Sequence, residues 1–283
     1  MKTLKTYRPR PVLMVSSVMV EGAEATLRAL ALGCVDFIGK PSGSISLNIK
    51  EIGQEIIDKV IGASGAKVRG ILTPKPVTGA SEFRRMKAPV STGRRDIVAI
   101  ASSTGGPMAL SELIPKLPKN FPVPIVITQH MPKEFTGSFA KRLDESSQVE
   151  VVEGFDGLTL KAGRVVIAPG GKHLVFKRRA GSCVCALNDS PPVLSVKPAA
   201  NIMFQSVAEN YGGNVLCVIL TGMGRDGTDG GLLLHQKGAY VLAESQKTCV
   251  VYGMPKAAVD AGIVDEVLPL NEIPDAMVRL VKN

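Results

Sequence analysis

The chain has 283 residues, 45% of them hydrophobic and 21% charged, which is the make-up of a soluble globular protein with room for a sizeable core in one or two domains. Its longest unbroken apolar run, Val215 to Leu220, is too short for a membrane span, and the basic start Met1-Lys2-Thr3-Leu4-Lys5 leads into Arg-Pro-Arg-Pro instead of an apolar signal core; no membrane insertion and a cytoplasmic location are expected. The formal net charge of +9 is confined to residues 1–95, where 16 basic residues face 7 acidic ones, while residues 96–283 hold 18 of each; with aromatics at 4% and no Trp, no stacking surface for nucleic acid accompanies it.

In chain order, Pro11 to Ser16 reads as a buried strand, and Glu21 to Leu32 as a helix with Leu27, Leu30 and Ala31 on one face and Gly33 as its stop. Val35 to Ile38 is a short strand ending in Gly39-Lys40-Pro41, and Ile49, Ile52, Ile56, Ile57 and Val60 space a second amphipathic helix. This strand-helix-strand-helix unit occupies residues 1–61. Residues 62–95 are rich in Gly, Ser, Thr, Pro, Lys and Arg and read as a linker, which leaves 96–283 as the main domain.

Ile97 to Ala101 is an apolar strand that ends in Ser102-Ser103-Thr104-Gly105-Gly106-Pro107 and turns helical, with Leu110, Leu113, Ile114 and Leu117 at core spacing. Glycines suit the sharp turn, and Pro107 suits the first helical position. Val123 to Thr128 is the next strand and exits through Gln129-His130-Met131-Pro132; Phe135, Phe139 and Leu143 mark a helix, and Gln148 to Val152 another strand. Arg164 to Ala168, Leu174 to Lys177 and Cys183 to Leu187 are short strands broken by Gly and Pro, expected to form an antiparallel insert. A helix at Ile202 to Tyr211 precedes the most apolar strand, Asn214 to Leu220, which runs into a glycine-rich turn at Thr221 to Gly231. A helix at 232–237, strands at 239–243 and 266–268, and helices from Pro255 and after Asn271 complete the chain. The alternation predicts an α/β fold, a mostly parallel doubly wound sheet with helices on both faces. Five cysteines, an odd number without zinc-ligand spacing, read as reduced core thiols, and no metal or cofactor is expected.

The turn after Leu220 supports two readings. Gly222-x-Gly224-x-x-Gly227, with Glu244 closing the next strand, matches a dinucleotide fingerprint, but a pyrophosphate there would share its site with Asp226 and Asp229. Alternatively, Asp226 joins Ser103 and His130 as a third polar group at the carboxyl end of a strand, the edge where open parallel sheets bind ligands. Serine, imidazole and carboxylate are the types that nucleophilic acyl transfer needs: a hydroxyl to attack, a base to take its proton, and an acid to orient the base. Each residue also has a plain role open to it, since Ser103 could cap a helix, His130 sit in a turn like His173 or His235 elsewhere, and Asp226 brace a loop.

The runs Ala-Ser-Ser-Thr-Gly-Gly-Pro (101–107), Thr-Gln-His-Met-Pro (128–132), Ala-Pro-Gly-Gly-Lys-His-Leu (168–174), Leu-Thr-Gly-Met-Gly-Arg-Asp-Gly (220–227) and Val-Val-Tyr-Gly-Met-Pro-Lys-Ala-Ala (250–258) resemble the chemotaxis response-regulator protein-glutamate methylesterases, the CheB family. The resemblance implies a serine hydrolase that demethylates glutamate γ-methyl esters and deamidates glutamines on chemoreceptor helices. It implies Ser103 as nucleophile, His130 as base and Asp226 as third member, with Thr104, Gly105 and Met223 lining the site near oxyanion donors. Residues 1–61 resemble the second half of a receiver domain, with Val15-Ser16 and Lys40-Pro41 at its strand ends. The strands that would carry the acidic cluster and phosphoacceptor have no counterpart, and Asp36 lies in the wrong strand for that role, so a histidine kinase is a partner only of a complete receiver. A catalytically silent receptor-binding module is the further alternative. Lys197-Pro198-Ala199-Ala200-Asn201 departs from the Arg-Pro-Ser-Val-Asp expected of the family.

Overall fold

The computed structural model describes residues 10–17, 20–40, 53–66 and 93–282. The expected positions Pro41, Ile49 and Ile52, and the greater part of the expected linker, lie outside them. The main sheet has seven strands, all parallel: β3 (Ile97–Ser102), β4 (Ile125–Gln129), β5 (Glu150–Glu153), β6 (Arg164–Ile167), β9 (Val215–Ile219), β10 (Tyr240–Glu244) and β11 (Glu266–Leu268). Their order is β11-β10-β9-β3-β4-β6-β5, so β3 is central and the order reverses on either side of it. That reversal opens a crevice at the carboxyl ends of β3 and its neighbours.

Strand alternation feeds two cores. Val98, Ile100, Ile127 and Val218 point to one face, against α3 (Gly106–Leu113), α4 (Lys133–Ser146) and α8 (Ile273–Val281). Ile97, Ala99, Ala101, Cys217 and Ile219 point to the other, against α5 (Ala200–Tyr211), α6 (Thr228–Gln236) and α7 (Met254–Asp260). With both faces covered, these strands are near-continuous apolar runs, with polar residues only toward their carboxyl ends.

Residues 164–168 were expected in the antiparallel insert, yet β6 pairs in parallel with β4 and β5 inside the main sheet. Val165, Val166 and Ile167 are all fully buried, which suits a strand covered on both faces and not a hairpin with one wet side. The insert is the single hairpin β7 (His173–Arg179) and β8 (Ser182–Asn188). All five cysteines are free and buried.

The N-terminal unit comprises β1 (Leu13–Ser17), α1 (Val20–Ala31), β2 (Asp36–Lys40) and α2 (Gly53–Ser64), with β1 and β2 pairing in parallel. Leu27, Leu30 and Phe37 join the same core as α3 and α4, and the Phe37 and Phe135 rings lie 4.4 Å apart between centroids. The unit therefore packs on the main domain near the carboxyl edge of its sheet.

Candidate active site

Ser103 follows the last residue of β3, and His130 the last residue of β4; the register pairs Ser102 with Gln129, so the two side chains leave adjacent strand ends. Asp226 lies in the turn between β9 and α6, on the other flank of β3. All three line one cleft of about 690 Å³, which Thr104 and Met223 also border. His130 Nε2 is 2.7 Å from Asp226 Oδ2, in a setting where the two side chains are 12% and 3% exposed.

The Asp226 carboxylate is held from several sides. It accepts from the amides of Ala200 (2.6 Å), Asn201 (3.0 Å) and Gly227 (3.0 Å), the first two at the start of α5. A helix N-terminus stabilises negative charge, so the fold supplies a fixed counter-field for this acid. Burial pushes the carboxyl up, but the His130 ring and the amides of Asn201 and Ala200 outweigh it, and the carboxyl ends below its ordinary value. It is therefore ionised at neutral pH and can orient an imidazole.

The turn after β3, which carries Ser103, is shaped by close contacts. Gly105 takes φ 81°, a left-handed conformation, and its missing Cβ leaves room for Val250; at Gly222 a Cβ would lie 2.8 Å from that of Ser103 and 2.3 Å from Met254 Sδ. Ser103 N–H donates to Thr221 O at 3.0 Å, and Thr221 Oγ1 donates to Thr104 O at 3.0 Å. The amides of Thr104 and Met223 donate to no other group among the described residues. The Gly105 amide, by contrast, donates to Val35 O (3.2 Å) of the N-terminal unit, and Gly105 is not among the residues that line the cleft. The Thr104 hydroxyl is likewise engaged, donating to Asp36 Oδ2 at 2.6 Å.

Several other sequence expectations are settled by position. Glu244 is fully buried, its Oε2 accepting the Thr221 amide at 2.8 Å, and burial pushes its carboxyl up; it is not presented to a ribose. Gly222 makes room for Ser103 and Met254 and not for a pyrophosphate, so the dinucleotide reading loses both its acid and its first glycine. His173 is fully buried, its Nδ1 accepting the Ala199 amide and its Nε2 lying 3.1 Å from Pro191 O; it braces the segment that leads into α5. His235 lies within α6 with Asp265 at 3.7 Å, outside the cleft lining. Lys197 borders the cleft with its Nζ on Asp189, and Asn201 accepts amides at the start of α6. Gln129, Thr221, Asn201 and the Asp36–Thr104 contact carry no role in the sequence reading. Gln129 and Thr221 sit beside named residues in the matched runs, which was their only signal.

A doubly wound parallel sheet that gathers a serine, a histidine and a buried carboxylate on its carboxyl rim defines the class, an α/β enzyme with its site at the switch point. The CheB methylesterase family model matches residues 98–277. The chain is 43% identical over 280 residues to a protein-glutamate methylesterase/protein-glutamine glutaminase of Pyrococcus horikoshii, covering 99% of this chain and 75% of that one. A protein of the same name from Thermotoga maritima is 43% identical over 281 residues, covering 99% and 80%. The crystal structure of the Thermotoga maritima CheB methylesterase catalytic domain superposes with a TM-score of 0.65 at 46% identity, covering 67% of this chain and all of that one. The chain belongs to the CheB methylesterase family, a family of ester hydrolases.

Proposed function

We propose that this protein hydrolyses glutamate γ-methyl esters, and deamidates glutamines, on chemoreceptor helices through a Ser103–His130–Asp226 triad. The observation that carries the reading is the convergence of the three residues on one cleft, with His130 Nε2 held at 2.7 Å by the helix-capped Asp226. Because Nε2 faces the acid, Nδ1 is the ring nitrogen left to serve Ser103. Ser103 Oγ attacks the side-chain carbonyl while Nδ1 takes its proton, and the carbonyl oxygen becomes an oxyanion. The amides of Thr104 and Met223, both at the cleft, are suited to receive that charge. His130 returns the proton to the departing methoxide, releasing methanol; for glutamine the leaving group is ammonia. Water, activated by the same imidazole, then hydrolyses the acyl-enzyme to free Ser103 and leave a glutamate.

The N-terminal unit is read as the second half of a receiver-like domain ending near residue 61, joined by a linker to the methylesterase domain from residue 96. Ser103→Ala tests the mechanism directly. It is expected to cut methanol release from methylated receptor fragments by roughly four to six orders of magnitude without unfolding the protein. Near wild-type release would sink the triad, and wild-type protein that binds receptor without releasing methanol would identify a silent binding module.

A further inference from the structure

The parallel ladder between β3 and β4 ends with His130 N–H donating to Ser102 O at 3.1 Å. Beyond this bond the strands part, Ser103 entering the turn to α3 and His130 the turn to α4. The next two backbone carbonyls, those of Ser103 and His130, have passed the end of the ladder. One side chain serves both. Gln129 Nε2 donates to Ser103 O at 3.1 Å and to His130 O at 2.9 Å, while its Oε1 accepts from Ser102 Oγ at 2.7 Å. Gln129 is 2% exposed, and Ser103 O also receives the Gly106 amide at 2.7 Å.

The demands of this position are narrow. Two acceptors and one donor converge on a single planar group, which only a primary amide satisfies. A carboxylate has no N–H to give, methionine of similar length offers neither function, and asparagine is one methylene short. The slot itself is kept open by Gly106, where a Cβ would lie 2.0 Å from Gln129 Oε1 and 2.9 Å from Ser102 Cβ. Gly106 and Gln129, far apart in sequence, thus depend on each other.

We infer that Gln129 is a positioning residue that sets the separation of Ser103 and His130 by holding both of their carbonyls on one carboxamide. The inference rests on the reading of those two residues as nucleophile and base. Without the amide, the Ser103 and His130 carbonyls each lose a donor, and either water enters between the strand ends or the main chain shifts. A displacement of about 1 Å between reacting groups costs on the order of a hundredfold in rate. Gln129 is not among the residues lining the cleft, so substrate binding is expected to be unchanged.

The test uses the full chain and two readouts: methanol release from a methylated receptor fragment, and covalent labelling of Ser103 by a fluorophosphonate. Gln129→Met is expected to lower kcat about 10- to 100-fold with KM within about twofold, and to slow labelling by a similar factor. Gln129→Glu keeps the shape but loses both donors when ionised, and is expected to show the same split between kcat and KM; it decides the matter if the methionine variant does not fold. A folded variant with kcat within about twofold of wild type, or a loss confined to KM, overturns the inference while the triad stands. Ordinary methanol release and labelling in Ser103→Ala would instead remove the triad reading and this inference with it.

Discussion

Asn201 and Asp226 cap one another's helices. The Asp226 carboxylate, just before α6, accepts the amides of Ala200 and Asn201 that open α5, and Asn201 Oδ1 accepts the amides of Gly227 (3.0 Å) and Gly230 (2.9 Å) that open α6. Each helix start leaves unpaired N–H groups, and here each is satisfied by a side chain from the other. The acid that faces His130 is therefore fixed by a structural exchange and not by the active site alone.

Removing one half of that exchange exposes its worth. Asn201→Ala leaves the Gly230 amide without its acceptor, while the Gly227 amide keeps Asp226 Oδ1, and is expected to cost about 1 kcal/mol of stability. Urea unfolding monitored by circular dichroism checks it, with a midpoint unchanged from wild type as the contrary result.

Glu244 gives the stability a pH signature. Burial raises its carboxyl, so the folded chain holds the proton longer than the unfolded chain does. The stability this contributes is fully present below about pH 4.3, the unfolded value, and is lost as pH rises through the folded one. Glu244→Gln removes the titration. Its stability relative to wild type is expected to be constant at acid pH and to shift in the variant's favour as pH rises toward 8, about 1.4 kcal/mol for each unit of raised pKa traversed. Unfolding curves for both proteins across that range test this, and a gap independent of pH contradicts it.

Asp36 ties the N-terminal unit to the turn after β3. It accepts from Thr104 Oγ1, and its Oδ1 also takes the Phe37 amide at 2.8 Å, with Lys59 Nζ 3.7 Å away. Asp36→Ala removes these bonds while leaving Val35 O opposite the Gly105 amide. Hydrogen exchange at Gly105 and Phe37 is expected to quicken about tenfold or more, given 1.5–3 kcal/mol for a buried bond to a charged group, while β9 and β10 exchange as before. Unchanged exchange at both amides would show that the Asp36 bonds do not help seat the unit.

Much of this architecture was legible from residue order. The apolar runs at 97–101, 123–128 and 214–220 announced buried parallel strands, and the Gly-Gly-Pro after Ser103 announced a turn into a helix. The residues 164–168 were misplaced because a short run broken by Gly and Pro has the same length and composition in a hairpin as at the inner position of a sheet. Which strand lies beside it is a long-range fact that no local pattern encodes.

The sequence by itself determined which polar residue types stand at the strand ends, because strand period and turn chemistry are local. Ser103, His130 and Asp226 could be picked out as candidates on that basis, with a plainer role open to each. What only the tertiary structure decided was which atoms meet. That His130 turns Nε2 to Asp226, that Asn201 and Asp226 exchange caps, that Asp36 reaches Thr104, and that Gln129 spans the parting ends of β3 and β4 all join residues brought together by packing. Hydrogen bonds are directional over about 3 Å, so they are fixed only once burial of two cores has set the strands and helices in place.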